Sequence, residues 1–317
     1  MVVIFGLIVI LACAALPWAY HATHVHKDGV DKTTGDWLGM LEQNPAFENG
    51  PDGLWMLIHS FWQPTEYITI IGLGVGAMVI MAPRQVIKKV LGGALATLKG
   101  IPYSKKVYSE VFMAMYELFM LGRKNGMIAL EEHVGDPTSS PILSKYPTFL
   151  KNKEALEFFC DGLRPVIDGR IKADQLQSLM DVQIKQTDHE GHEPIDVLTK
   201  VGDSMPGFGI VACVMGIVAT MQKLGEGNEV VGKSVAAALV GTFLGIAAAY
   251  CFVNPIATNV TFLHSNKIAF LRCISSALVS FVKGAAPAMA IETARRGVSS
   301  DFRPSADELE ELLKSTK

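Results

Sequence analysis

Few residues of this chain combine a reactive type with a spacing that chemistry needs. The run HEGHE at 189–193 resembles a zinc-protease motif, in which histidines four apart hold the metal and a glutamate serves as base. Here the histidines stand three apart in a polar stretch, which is read as a solvated linker. His21, His24 and His26 are close enough to share a metal, but nothing completes the ligand set and a solvated cluster is expected. The five cysteines (Cys13, Cys160, Cys213, Cys251 and Cys273) are scattered without metal or disulfide spacing. Gly72, Gly74 and Gly76 lack the lysine and hydroxyl of a phosphate loop, and close helix packing through Gly72 and Gly76 is the better reading. With no nucleophile elbow, Walker motif or metal box, the chain is not read as an enzyme, and no catalytic residue, metal or cofactor is expected. What remains are polar atoms in apolar surroundings: the Thr242 hydroxyl, the Cys213 sulfur, and backbone freed near Pro206 and Pro255. Such atoms could line an ion path. A proton or cation path also needs an ionisable group within the membrane, and no span supplies one at mid-depth, so a partner chain must bring the carboxylate.

The elements that position these atoms are membrane helices. Residues 204–222 form 19 positions without a charge, and 234–258 form 25. A helix crosses a bilayer with roughly 17–25 such residues. The link between them, 223–233, contains Gly225, Gly227 and Asn228 and reads as a tight turn, making a transmembrane hairpin. In its second helix Ala237, Gly241, Gly245 and Ala249 recur every fourth residue, a small-residue stripe that lets helix backbones approach closely.

The fold class that follows is an all-α membrane protein with four transmembrane helices and a large helical cytoplasmic insert between spans 2 and 3. Residues 1–20 are a first span; a cleaved signal peptide is the alternative, but its usual basic start is missing. Residues 21–63 form an unusually long loop with six acidic and two basic residues, whose 54–62 stretch (LWMLIHSFW) suits a membrane interface. The second span is 64–83, of which 67–83 carries no charge. Arg84, Lys88, Lys89, Lys99, Lys105 and Lys106 follow before any acid, which puts this side in the cytoplasm and the 21–63 loop outside. The cytoplasmic insert is 84–200, with helical spacing at Val107, Val111, Met115, Leu118 and Phe119, and again at Leu156, Phe159, Leu163 and Val166. A further short helix is expected at 174–185. Spans 3 and 4 are 201–222 and 234–258, joined by the 223–233 turn. Residues 259–317 return to the cytoplasm as helices, 268–285 continuing from the fourth span and an acidic helix starting after Pro304 and Ser305. The chain is 50% hydrophobic and 19% charged with a net charge of −3, so nothing marks it for nucleic acid.

Several long segments then carry a resemblance. VGDSMPGFGIVACVMGIV and VGTFLGIAAAYCFVNPIAT resemble the third and fourth membrane helices of the MotA/PomA flagellar stator family. RKNGMIALEEHV resembles that family's cytoplasmic segment, QPTEYITIIGLGVGAM its second span, and PSADELEE its acidic C-terminal motif. The resemblance implies a flagellar motor stator subunit in the bacterial inner membrane, both termini cytoplasmic, self-associating as a pentamer around MotB-type subunits. The partner's membrane aspartate would carry the ion, and flux would turn the ring against the rotor protein FliG.

Matched residue by residue, Arg123 and Glu131 would contact the rotor, Pro206 and Pro255 would couple ion passage to movement, and Thr242 would face the ion path. Sodium-type members tend to have threonine where Cys213 stands, which favours protons over sodium as the transported ion. Each assignment has a plainer counterpart. Pro206 can be an early helical proline behind a Ser204 cap, Pro255 a proline near a helix end, and Arg123 and Glu131 ordinary surface charges. The long 21–63 loop departs from the family, which usually joins its first spans briefly, and its placement suggests contact with a periplasmic partner. A TolQ/ExbB-type energiser and a gliding-motor subunit share the hairpin and are the alternatives; a transporter or a scaffold without ion flow is the reading from another class.

Overall fold

The computed structural model describes residues 64–222, 225 and 227–315. The first span at 1–20, the 21–63 loop and its histidines lie outside the described residues. In chain order the helices are α1 (Pro64–Met81), α2 (Arg84–Lys99), α3 (Lys105–Asn125), α4 (Glu131–Gly135), α5 (Pro147–Lys151), α6 (Lys153–Ile167), α7 (Ala173–Met221), α8 (Asn228–Ala247), α9 (Asn254–Val282), α10 (Pro287–Arg296) and α11 (Ala306–Ser315). A π-helical stretch, Ala248–Val253, joins α8 to α9. The described residues are thus all-helical. Three helical runs, Pro64–Met81, Ala173–Met221 and Ser234–Val282, are long and apolar enough to cross a membrane.

The chain divides into two compact units. One includes residues up to Gly100 and Glu193–Val260; the other is Ile101–His192 with Thr261–Lys317. In the first unit, Glu66, Ile70 and Gly74 form the buried stripe of α1 at four-residue spacing. Other faces of α1 stay open, Ile80 being 88% and Ile68 72% exposed, as expected of a helix that is apolar all round and meets lipid. This corrects the expectation for its glycines. Among the described residues a Cβ at Gly72 or Gly76 would meet nothing within 4 Å, whereas one at Gly74 would lie 2.6 Å from the Met205 Cε. Successive helix positions turn by about 100°, so among the described residues it is the glycine in register with Glu66 and Ile70 that faces a neighbouring helix.

The 173–221 region also differs from expectation. The short helix at 174–185, the polar linker at 189–193 and the separate span at 201–222 are one 49-residue helix, α7. Apolar periodicity lapses through the polar run, but the backbone ladder does not depend on it. Pro194 and Pro206 both lie inside this helix, so Pro206 is not an N-terminal proline. Ser204 is not a cap either: its hydroxyl donates to the Lys200 carbonyl at 2.8 Å.

The second unit has its own core. Val107, Val111, Met115, Leu118 and Phe119 on α3, and Leu156, Phe159 and Leu163 on α6, are all buried, as their spacing predicts. Phe119 stacks on Phe281 with ring centroids 4.2 Å apart. The 268–282 part of α9 continues from the fourth span into this core. Gly169 closes α6 with φ of 68°, a backbone state that favours glycine. Ser305 and Glu308 form a reciprocal cap at the start of α11: Glu308 N–H donates to the Ser305 hydroxyl at 3.1 Å, and Ser305 N–H to the Glu308 carboxylate at 2.7 Å.

Candidate functional site

The predicted ion-path residues all fall in the first unit, on α7, α8 and the start of α9. There α7 and α8 cross at two glycines. A Cβ on Gly209 would lie 2.8 Å from the Gly241 carbonyl and 2.9 Å from the Gly245 Cα. One on Gly245 would lie 2.7 Å from the Gly209 Cα. The two backbones touch, which is what the small-residue stripe predicts. Gly241, Gly245 and Ala249 are buried, while Ala237 is half-buried and its neighbour Ala238 takes the packed position against Gly216.

Cys213 is buried at this crossing, its backbone nitrogen 3.4 Å from a Cβ position on Gly241. Thr242 follows Gly241 in the chain and is half-buried. The structure therefore brings Cys213 and the Gly241–Thr242 turn together. Pro206 is interior to α7, three residues after Asp203, and Pro255 is the second residue of α9. Lacking an N–H, Pro255 cannot donate to the carbonyl four residues back, and the π-helical turn ends just before it. The Asn254 amide donates to the Asp203 carboxylate at 3.2 Å. That bond links the segment carrying Pro206 to the segment carrying Pro255. Asn254 also fills the space a Cβ at Gly202 would need, and its Oδ1 is buried without a partner among the described residues.

One residue of this site is absent from the sequence reading. Glu66 sits in the first turn of α1 and is 9% exposed. Its Oε2 lies 2.6 Å from a Cβ position on Gly241, and its Oε1 3.7 Å from one on Gly216. Oε2 is buried and accepts no hydrogen bond among the described residues. Glu66 falls inside the expected 64–83 span but just before its uncharged 67–83 run, so the run itself does not point to it. Its four-residue register with Ile70 and Gly74 was the signal that could have found it. An ionisable group placed inside a span is costly, and its default reading is functional.

The predicted rotor contacts belong to the second unit, and both are exposed. The Arg123 guanidinium donates to the Gly284 and Ala285 carbonyls, each at 3.3 Å. It thereby meets the negative end of α9 where Gly284 turns the chain with φ of 96°. Glu131 stands in the first turn of α4, where a helix favours an acid. Nearby on α10, Arg295 and then Arg296 donate to the Glu292 carboxylate and hold its pKa down to about 2.

Comparison with known proteins gives matches across this whole region. The family described as Motility protein A N-terminal matches residues 56–126, and the MotA/TolQ/ExbB proton channel family matches residues 151–271. Motility protein A of Escherichia coli (strain K12) is 34% identical over 258 residues, covering 81% of this chain and 88% of that protein. Chemotaxis protein LafT of Vibrio parahaemolyticus is 30% identical, covering 80% and 89%. Among solved structures, that of C. jejuni MotAB matches with a TM-score of 0.68 at 16% identity, covering 96% of this chain and 98% of that one. The flagellar MotAB stator complex from Bacillus subtilis matches with a TM-score of 0.60 at 23% identity, covering 80% and 89%. At those identities the two structures speak for the fold.

Proposed function

The chain belongs to the MotA/TolQ/ExbB proton channel family, and on that premise we infer that it is the channel-forming stator subunit of a flagellar motor, working with a MotB-type partner. The observation that carries this reading is the backbone-to-backbone crossing of Gly209 and Gly245 inside the matched 151–271 segment. It forms a close seam between two spans, with Pro206 three residues before it on α7 and Pro255 ten residues after it on the other span.

The finer parts of the reading are proposals. The transported ion is a proton, as the buried Cys213 in place of a threonine oxygen supports. The partner supplies an aspartate that carries the ion, Thr242 and Cys213 border its route, and Pro206 and Pro255 let the flanking segments move as it passes. Five copies surround the partner in the bacterial inner membrane, with both termini, 84–200 and 259–317 in the cytoplasm, an orientation favoured by the basic run from Arg84 to Lys106. Torque passes to the rotor protein FliG through Arg123 and Glu131. Relatedness to motility protein A over four-fifths of the chain favours this reading over an envelope energiser.

The test is copurification from membranes. Recovery of a single-span partner with a membrane aspartate and a peptidoglycan-binding domain, at a mass giving five copies, is the expected result; a TolR-like or TonB-like partner would replace the stator reading with an energiser. Arg123→Glu is expected to stop rotation while leaving chain level and partner recovery intact, because charged contacts are sensitive to sign.

A further inference from the structure

Asp188, His192 and His264 place one carboxylate oxygen and two imidazole nitrogens within 4.8 Å of one another. All three belong to the second unit. Asp188 and His192 are four apart on α7 and so share a helix face, while His264 arrives from α9, 76 residues from Asp188. His264 Nε2 lies 3.0 Å from Asp188 Oδ1, and His192 Nε2 lies 3.6 Å from the same oxygen. The two rings stand 5.2 Å apart and nearly perpendicular, at 78°. Ligand atoms held at about 2.0–2.2 Å by a tetrahedral cation lie about 3.3–3.6 Å from each other, and the 3.0 and 3.6 Å separations are within a few tenths of an ångström of that edge.

Two further features fit. The His264 side chain is 8% exposed, yet those of Asp188 and His192 are 37% and 50% exposed. The cluster is thus anchored on one side and open on the other, where a fourth ligand would enter. The buried ring reaches Asp188 only because residue 191 is glycine, since a Cβ there would overlap the His264 imidazole. Glycine inside a helix is less favourable than alanine, and here it makes the space for a ligand from the other helix. Of the HEGHE run only His192 joins a helical metal-type pair, and its partner four residues back is Asp188, just before the run, not His189.

We propose that Asp188, His192 and His264 form a three-ligand site for a divalent transition-metal cation of the zinc class. Two imidazoles and one carboxylate suit such a borderline cation better than magnesium or calcium, which prefer all-oxygen shells. Binding joins α7 to α9 within the second unit, and so stabilises the folded chain in proportion to cation concentration.

The test uses the full-length chain purified with its membrane partner, stripped with a chelator and titrated with Zn2+ alone. Calorimetry is expected to give about one zinc per chain, accompanied by a rise in melting temperature. His192→Ala and Asp188→Asn should each weaken binding more than about tenfold, since each removes one of three ligands. His189→Ala, which leaves the ligand set intact, should bind zinc as the parent does. No zinc binding by the parent, or binding unaffected by His192→Ala and Asp188→Asn, would overturn the site and leave Asp188 and His264 as a hydrogen-bonded pair. Equal loss in His189→Ala would overturn it too.

Discussion

The Glu66 carboxylate fills the space that a side chain at Gly241 would need, its Oε2 lying 2.6 Å from that Cβ position. A span glycine and a span acid are thus one fitted pair, and each explains the other's presence. An oxygen buried there without a partner among the described residues is unfavourable for the fold. Glu66→Gln is therefore expected to leave the purified complex melting no lower than the parent. The same substitution is expected to slow motility, because ionisable groups inside spans are retained for function. Parent-like swimming speed would show that Glu66 serves only to pack.

The glycine seam gives a contrast between two α1 and α8 positions. Gly245→Ala puts a methyl 2.7 Å from the Gly209 Cα and the Met205 carbonyl, both of them backbone that cannot rotate away. A cost of about 1–3 kcal/mol or more is expected, read as a lower melting temperature and less chain in the membrane. Gly72→Ala, which meets no described residue within 4 Å, is expected to leave the subunit's own stability unchanged.

Pro255 lies two residues after the π-helical turn. Pro255→Ala returns a donor to the backbone and is expected to let 248–253 relax toward ordinary α-helix. The chain should then assemble normally and melt no lower, with reduced rotation. Loss of assembly along with rotation would mark Pro255 as a folding residue.

Glu292 supplies a pH-dependent contribution in the second unit. The guanidinium of Arg295, with that of Arg296 beside it, holds the Glu292 carboxyl at about 2, below the ordinary glutamate value of about 4.3. A depressed folded-state pKa stabilises at pH above the ordinary value and loses that contribution as pH falls through the folded one. Glu292→Gln is expected to melt below the parent at neutral pH. The difference should shrink as pH falls from about 4.5 toward 2.

Much of the spanning architecture was legible because the bilayer imposes a local rule. Each span must satisfy its own backbone groups, so a long uncharged run is enough to locate 204–222 and 234–258. The Gly241 and Gly245 stripe was likewise visible, since helical spacing alone puts these residues on one face. So were the core faces of α3 and α6.

What only the tertiary structure decided depends on neighbours that sequence order does not reveal. Gly74, not Gly72 or Gly76, faces another helix because of how α1 is rotated about its axis. Glu66 becomes a buried group because Gly216 and Gly241 leave room for its carboxylate, though both lie more than a hundred residues away in sequence. Arg123 gains the Gly284 and Ala285 carbonyls as partners, a contact between residues 161 and 162 positions apart. His264 reaches Asp188 across 76 residues through the gap left by Gly191. Local periodicity determines which residues can share a helix face. Which faces meet, and which side chains converge there, is settled by packing between helices that are distant in the chain.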